Sequence, residues 1–128
     1  MIRRLLIFFT PLFLALGCSQ ADDLAKNVDP KAAQALITDQ KAVVIDVRTP
    51  EEFADGHIAG AKNVDFFSKS FREELGKLDK DAPIVMHCQS GGRSGQALPI
   101  FKELGFTKVF HMNGGFRAWS SAGLPVTK

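Results

Sequence analysis

The chain has 128 residues, 45% of them hydrophobic and 23% charged, which suits one compact domain and is too short for two. Only 2 cysteines exclude a disulfide scaffold, and no Cys and His pairs stand at structural-zinc spacing, so packing alone must hold the core. The formal charge is +2, yet beyond residue 18 the chain carries 14 basic and 14 acidic residues. The excess belongs to Arg3 and Arg4, and a basic nucleic-acid-binding surface is excluded.

Met1-Ile2-Arg3-Arg4 precedes an apolar run from Leu5 to Gly17, interrupted only by Thr10 and Pro11. Residues 1–17 read as an export signal. As a helix, the 13 residues of the run would reach about 20 Å against a hydrocarbon core of roughly 30 Å, and Pro11 would interrupt it. A membrane span is therefore disfavoured. Leu14-Ala15-Leu16-Gly17-Cys18 is similar to a bacterial lipobox, which makes Cys18 a candidate lipidation site and membrane anchor. Ser19-Gln20-Ala21 offers an ordinary cut before Asp22 instead. Either route predicts an exported, periplasmic protein, with residues 18–27 as a tether and 28–126 as the domain.

Within that domain Asp29-Pro30 opens a helix, since Asp caps free amides and Pro suits the first helical position. Ala42 to Val47 is a β-branched run without alternation, as in a strand buried on both faces of a parallel sheet. Thr49-Pro50-Glu51-Glu52 combines a capping box with an N-terminal Pro and starts a short helix ended at Asp55-Gly56. Asn63 to Phe66 reads as a short strand, Phe71 to Leu75 as a helical turn, and Pro83 to His87 as a second buried strand. A helix over 93–104 follows, in which Pro99 predicts a bend or a later start. Lys108 to His111 is a final strand, and Phe116 to Ala122 a helix ended by Gly123. Strands alternating with helices indicate an open α/β sheet.

Ligands of such sheets bind beyond the carboxyl ends of the strands. There the sequence places Cys88-Gln89-Ser90-Gly91-Gly92-Arg93-Ser94-Gly95. Glycines let the chain curl, amides can turn inward as an anion-binding nest, and the next helix points its positive end at the same place. These effects favour thiolate over thiol and would make Cys88 a nucleophile near neutral pH. Gln89, Ser90, Gly91, Gly92, Arg93 and Ser94 are the candidate substrate-binding residues, with Arg93 a fixed positive charge. The alternative is a buried structural cysteine followed by a loop.

Asp46-Val47-Arg48, Glu52, Gly56-His57-Ile58-Ala59-Gly60-Ala61 with Asn63, the Cys88 loop, and Asn113-Gly114-Gly115-Phe116 to Trp119 together resemble the rhodanese family, in matching order. The resemblance implies a five-stranded parallel sheet with helices on both faces. It also implies a sulfurtransferase in which Cys88 takes a sulfane sulfur as a persulfide. Thiosulfate, a persulfide or a polysulfide would be the donor and a thiol or cyanide the acceptor, with no metal or organic cofactor. Gln89 stands where many thiosulfate-using members have a basic residue, which puts thiosulfate preference in question. It also motivates a second reading as a low-turnover sulfur carrier or interaction module. Phosphatases and arsenate reductases of this fold have five residues between cysteine and arginine; here four separate Cys88 from Arg93. The shorter loop suits a sulfur atom better than a tetrahedral oxyanion.

Asp46, Arg48, Glu52 and His57 are expected to brace the loops around the site rather than react, since a half-buried carboxylate needs a donor. His87 should point away from the Cys88 sulfur, because adjacent strand residues face opposite ways. His57, His87 and His111 have no metal-ligand spacing. Trp119 and the phenylalanines are read as core.

Overall fold

The computed structural model describes residues 25–128. In chain order its elements are β1 (Ala25–Asn27), α1 (Pro30–Asp39), β2 (Val43–Asp46), α2 (Pro50–Asp55) and β3 (Lys62–Asn63). They continue with α3 (Phe71–Gly76), β4 (Ile84–His87), α4 (Gly92–Glu103), β5 (Val109–His111) and α5 (Gly115–Ser121). The 5 strands form one sheet in the order β1-β5-β4-β2-β3, and every pairing is parallel.

The capping signals act as the sequence suggests. The Asp29 carboxylate accepts from the Ala32 amide at 2.8 Å, and Thr49 and Glu52 complete a reciprocal capping box at the start of α2. Each cap satisfies amides that the helix leaves unpaired.

The absence of alternation in β2 and β4 has a direct cause: both faces of the sheet are covered. Ile45, Val47, Ile84 and Met86 pack with Phe71 and Leu75 of α3 and Ala97 and Phe101 of α4. The intervening Val44 and Val85 pack on the other face with Ala33 of α1 and Trp119 of α5. Strand parity therefore divides one apolar run between two cores. Cys88 joins the α3/α4 cluster.

Four expectations change. The end of the tether forms the edge strand β1, whose Ala25, Lys26 and Asn27 pair with Val109, Phe110 and His111. At the other end, Thr127 bridges to His57, so the folded unit runs past both limits of 28–126. The strand expected over Asn63 to Phe66 is only Lys62–Asn63: Val64 bonds to the Asp46 carbonyl and Phe66 to that of Val47, a step of two residues against one that breaks the ladder register. Finally, α4 begins earlier than expected, at Gly92, and runs through Pro99 to Glu103. The export segment and Cys18 lie outside the described residues.

Candidate active site

Strand β4 ends at His87 and delivers Cys88 to the carboxyl edge of the sheet. The loop then turns at Gly91, whose φ of +104° is left-handed, and enters α4. A side chain at Gly91 would overlap the Asn113 carbonyl oxygen, and one at Gly115 would overlap the Gln89 carbonyl. These two glycines permit the approach of the β5–α5 connection to the Cys88 loop. The contact is held by the Phe116 amide donating to the Cys88 carbonyl at 2.9 Å and the Arg117 amide donating to that of Gln89 at 3.1 Å.

The Cys88 residue is 1% exposed. Its Sγ accepts from the Gly91 amide at 3.1 Å and from the Ser94 hydroxyl at 3.3 Å. Burial pushes the thiol up, but the Ser94 hydroxyl and amide and the Gly91 and Ser90 amides outweigh it, and the net direction is down. The nest expected from the glycines thus surrounds the sulfur, and an anionic sulfur is the form it favours.

Arg93, expected as a fixed positive charge, is held in place by a carboxylate. Its guanidinium donates to both carboxylate oxygens of Glu52, at 2.6 and 3.0 Å. That pairing, with the Thr49 cap, pulls the Glu52 carboxyl from 4.5 to about 2 against the opposing effect of burial. Arg48 is likewise committed. It donates from Nε and NH2 to the buried Asp46 carboxylate, NH2 at 2.7 Å, and to the Gly56 carbonyl at 2.7 Å. Its guanidinium carbon lies 4.1 Å from the centroid of the Phe116 ring, and NH1 reaches the Gln89 amide oxygen at 3.4 Å. Two cations at the mouth are therefore paired with two carboxylates.

His57 does not enter the site. It stacks on Phe53 with ring centroids 3.7 Å apart, places Nδ1 2.8 Å from the Phe53 carbonyl and ties its backbone to Thr127. His87 stays off the sulfur, as parity requires: its Nδ1 lies 2.9 Å from the Cys88 carbonyl. Its Nε2 is buried without a hydrogen bond, 3.7 Å from the Asp46 carboxylate. Burial holds this imidazole below its ordinary pKa despite the carboxylate.

One aromatic residue differs from the core reading, and another serves both the core and the site. Phe67 is 67% exposed, 6.0 Å from the Arg93 guanidinium, whereas Phe116 packs against the α1/α5 core and also lines a groove beside the loop. That groove, of about 310 Å³, is walled also by Arg48, Glu52, Asp55, Gly56 and Gln89. Sequence reasoning overlooked His111, whose Nε2 lies 2.7 Å from the Ser94 hydroxyl. Its position at the carboxyl end of β5 was the available signal.

A sheet of this order, carrying a cysteine cradled by loop amides at its carboxyl edge, defines a class, and the comparisons agree with it. Residues 29–122 match the rhodanese-like domain, and the chain belongs to that family. It is 36% identical over 94 residues to the thiosulfate sulfurtransferase GlpE of Ectopseudomonas mendocina (strain ymp), covering 73% of this chain and 84% of the relative. The corresponding protein of Pseudomonas fluorescens (strain Pf0-1) is 42% identical over 94 residues, with the same shares. Among solved structures, a rhodanese-related protein from Thermoplasma volcanium superposes with a TM-score of 0.70 at 28% identity, covering 80% of this chain and 97% of that one. The protein is a rhodanese-type sulfurtransferase.

Proposed function

We propose that Cys88 is the sulfur-carrying nucleophile and that sulfane donors of lower charge, monoanionic persulfides or uncharged organic polysulfides, are used in preference to thiosulfate. In the first half-reaction the Cys88 thiolate attacks the outer sulfur of the donor. A Cys88 S–S bond forms as the donor's S–S bond breaks, and the donor leaves as a thiolate, or as sulfite when it is thiosulfate. In the second, a nucleophilic thiol or cyanide attacks the outer sulfur of the persulfide and Cys88 leaves as thiolate. The single observation that carries this reading is the ring of donors on Sγ, Gly91 at 3.1 Å and Ser94 at 3.3 Å. They stabilise the anionic sulfur at the start and end of the cycle.

The donor preference rests on charge. Arg93 and Arg48 are each engaged by a carboxylate and Gln89 supplies no cation, so a dianionic donor meets a mouth with little net positive charge. The GlpE relatives are named for thiosulfate, which makes it the proper comparator. Exposure of the purified protein to cysteine persulfide, a monoanion, should add one sulfur to Cys88 by mass spectrometry, and kcat/KM should exceed that for dianionic thiosulfate. No added sulfur with any sulfane donor would overturn the role of Cys88; higher kcat/KM with thiosulfate would overturn only the preference.

The near-complete burial of Cys88 also favours a second reading, a sulfur carrier of low turnover whose persulfide passes to a partner. The two separate on steady-state rate: a stable Cys88 persulfide with negligible turnover supports the carrier. On the export-signal reading of residues 1–17, either activity would be exercised outside the cytoplasm.

A further inference from the structure

We propose that His111 is a positioning residue for the reaction: its Nε2–H donates to Ser94 and so aims the only Ser94 proton at the Cys88 sulfur. The inference rests on the reading of Cys88 as the nucleophile.

Fold parity creates the contact. Val109 packs in the cluster facing α4, and His111, two residues on, faces the same way. Ser94, Ala97 and Phe101 are the buried residues of α4, spaced so that they form one stripe. The last residue of β5 therefore meets the first buried residue of α4, with both side chains enclosed.

The Ser94 hydroxyl has one proton and three neighbours that could accept it. They are Cys88 Sγ at 3.3 Å, the Gly91 carbonyl at 3.3 Å and His111 Nε2 at 2.7 Å. If Nε2 is bare, the short contact takes the proton and the thiolate loses a donor. If Nε2 carries hydrogen, it donates to Ser94, whose proton must turn elsewhere, and an anionic sulfur is the strongest acceptor within reach. The histidine tautomer thus decides whether Ser94 stabilises Cys88. No proton changes hands in this arrangement, since only hydrogen-bond direction is set.

Burial and then His87 hold His111 below its ordinary pKa, so near neutral pH it is an uncharged imidazole with one N–H to place. His87 on β4 is the ionisable group acting on it directly, and Cys88 acts through Ser94. Asn27, its partner on β1, carries no charge. The same donor chain serves both half-reactions, because Cys88 is a thiolate as attacking group in one and as leaving group in the other.

The test needs no sulfur donor, so it stands apart from any failure of the proposed chemistry. Iodoacetamide labelling of the full chain is followed against pH on the Cys88 peptide by mass spectrometry, which separates it from Cys18. His111→Leu and Ser94→Ala should each slow labelling at pH 7 about tenfold, as for loss of one hydrogen bond to an anion, and move the profile to higher pH. The double variant should be no slower than either single. His111→Gln, whose amide nitrogen can stand in for Nε2–H, should stay within about threefold of the parent. A His111→Leu profile superimposable on the parent, or losses that multiply in the double variant, would overturn the proposal. Nitrogen-15 shifts of His111 in the unmodified protein give a reading independent of how the variants fold. A protonated Nε2 opposite the thiolate is expected, and a bare one overturns the assignment.

Discussion

If the Glu52–Arg93 pair masks the cation from anionic donors, as proposed, replacing Glu52 by Gln should raise the use of thiosulfate. In the native protein the Arg93 guanidinium is held bidentately at 2.6 and 3.0 Å by Glu52, with side-chain exposures of 21% and 33%. An approaching dianion meets the pair, not the cation. Glutamine removes the negative charge but keeps a carbonyl oxygen that can accept from the Thr49 amide, so the capping box of α2 survives. At a separation of about 6 Å and an effective dielectric of about 40, one uncompensated unit charge is worth about 1.4 kcal/mol per charge on the donor, or about tenfold. The expected result is a rise of about tenfold or more in kcat/KM for thiosulfate, with less than about a threefold change for an uncharged organic trisulfide. Because the new attraction is partly exposed, the gain should shrink as ionic strength rises from 0.01 to 0.15 M, over which the Debye length falls from about 30 to 8 Å. Steady-state rates for both donors across that salt range provide the assay. An unchanged or lower thiosulfate kcat/KM in a folded Glu52→Gln protein would refute the claim that the ion pair masks Arg93.

The remaining predictions concern stability, backbone geometry and processing. His87 and His111 are both held below their ordinary pKa of 6.5 by burial, so the unfolded chain binds their protons more readily. Stability should fall as pH drops below about 6.5, at up to about 1.4 kcal/mol per pH unit for each histidine, and urea midpoints unchanged between pH 7 and pH 5 would contradict this. Glu52 has the opposite charge chemistry but the same sign. Its depressed pKa adds stability above 4.5 that disappears as pH falls toward about 2, and Glu52→Gln should remove that acid-range loss. Gly91→Ala should cost about 2 kcal/mol or more and abolish sulfur loading, since the position combines φ +104° with overlap against Asn113; full loading in a folded variant would refute it. On the lipobox reading, intact-mass spectrometry of the exported protein should find acyl chains on an amino-terminal Cys18. A mature protein starting at Asp22 would favour the ordinary signal.

By itself the sequence determined whatever depends on near neighbours along the chain. The capping box at Thr49, the buried strand Ala42 to Val47, and the strand–loop–helix around Cys88 all rest on spacings of a few residues, and local geometry enforces them. The edge strand β1 was illegible for the converse reason. Ala25, Lys26 and Asn27 have little strand preference, and become a strand because β5 offers them an open edge. Phe67 shows that residue type alone does not settle burial, since its large apolar ring lies 67% exposed.

Only the tertiary structure decided how the polar groups pair. Glu52 and Arg93 lie 41 residues apart and read separately as a helix cap and an anion-binding cation; once joined, each cancels the other's charge. Ser94 and His111, 17 residues apart, have no local signature, and they meet because β5 lies beside β4 and α4 crosses the face that its alternate residues present. Local propensity sets where each element forms. The order of strands in the sheet sets which side chains face one another, and in a buried site with few solvent partners that pairing fixes the charge and hydrogen-bond direction around the sulfur.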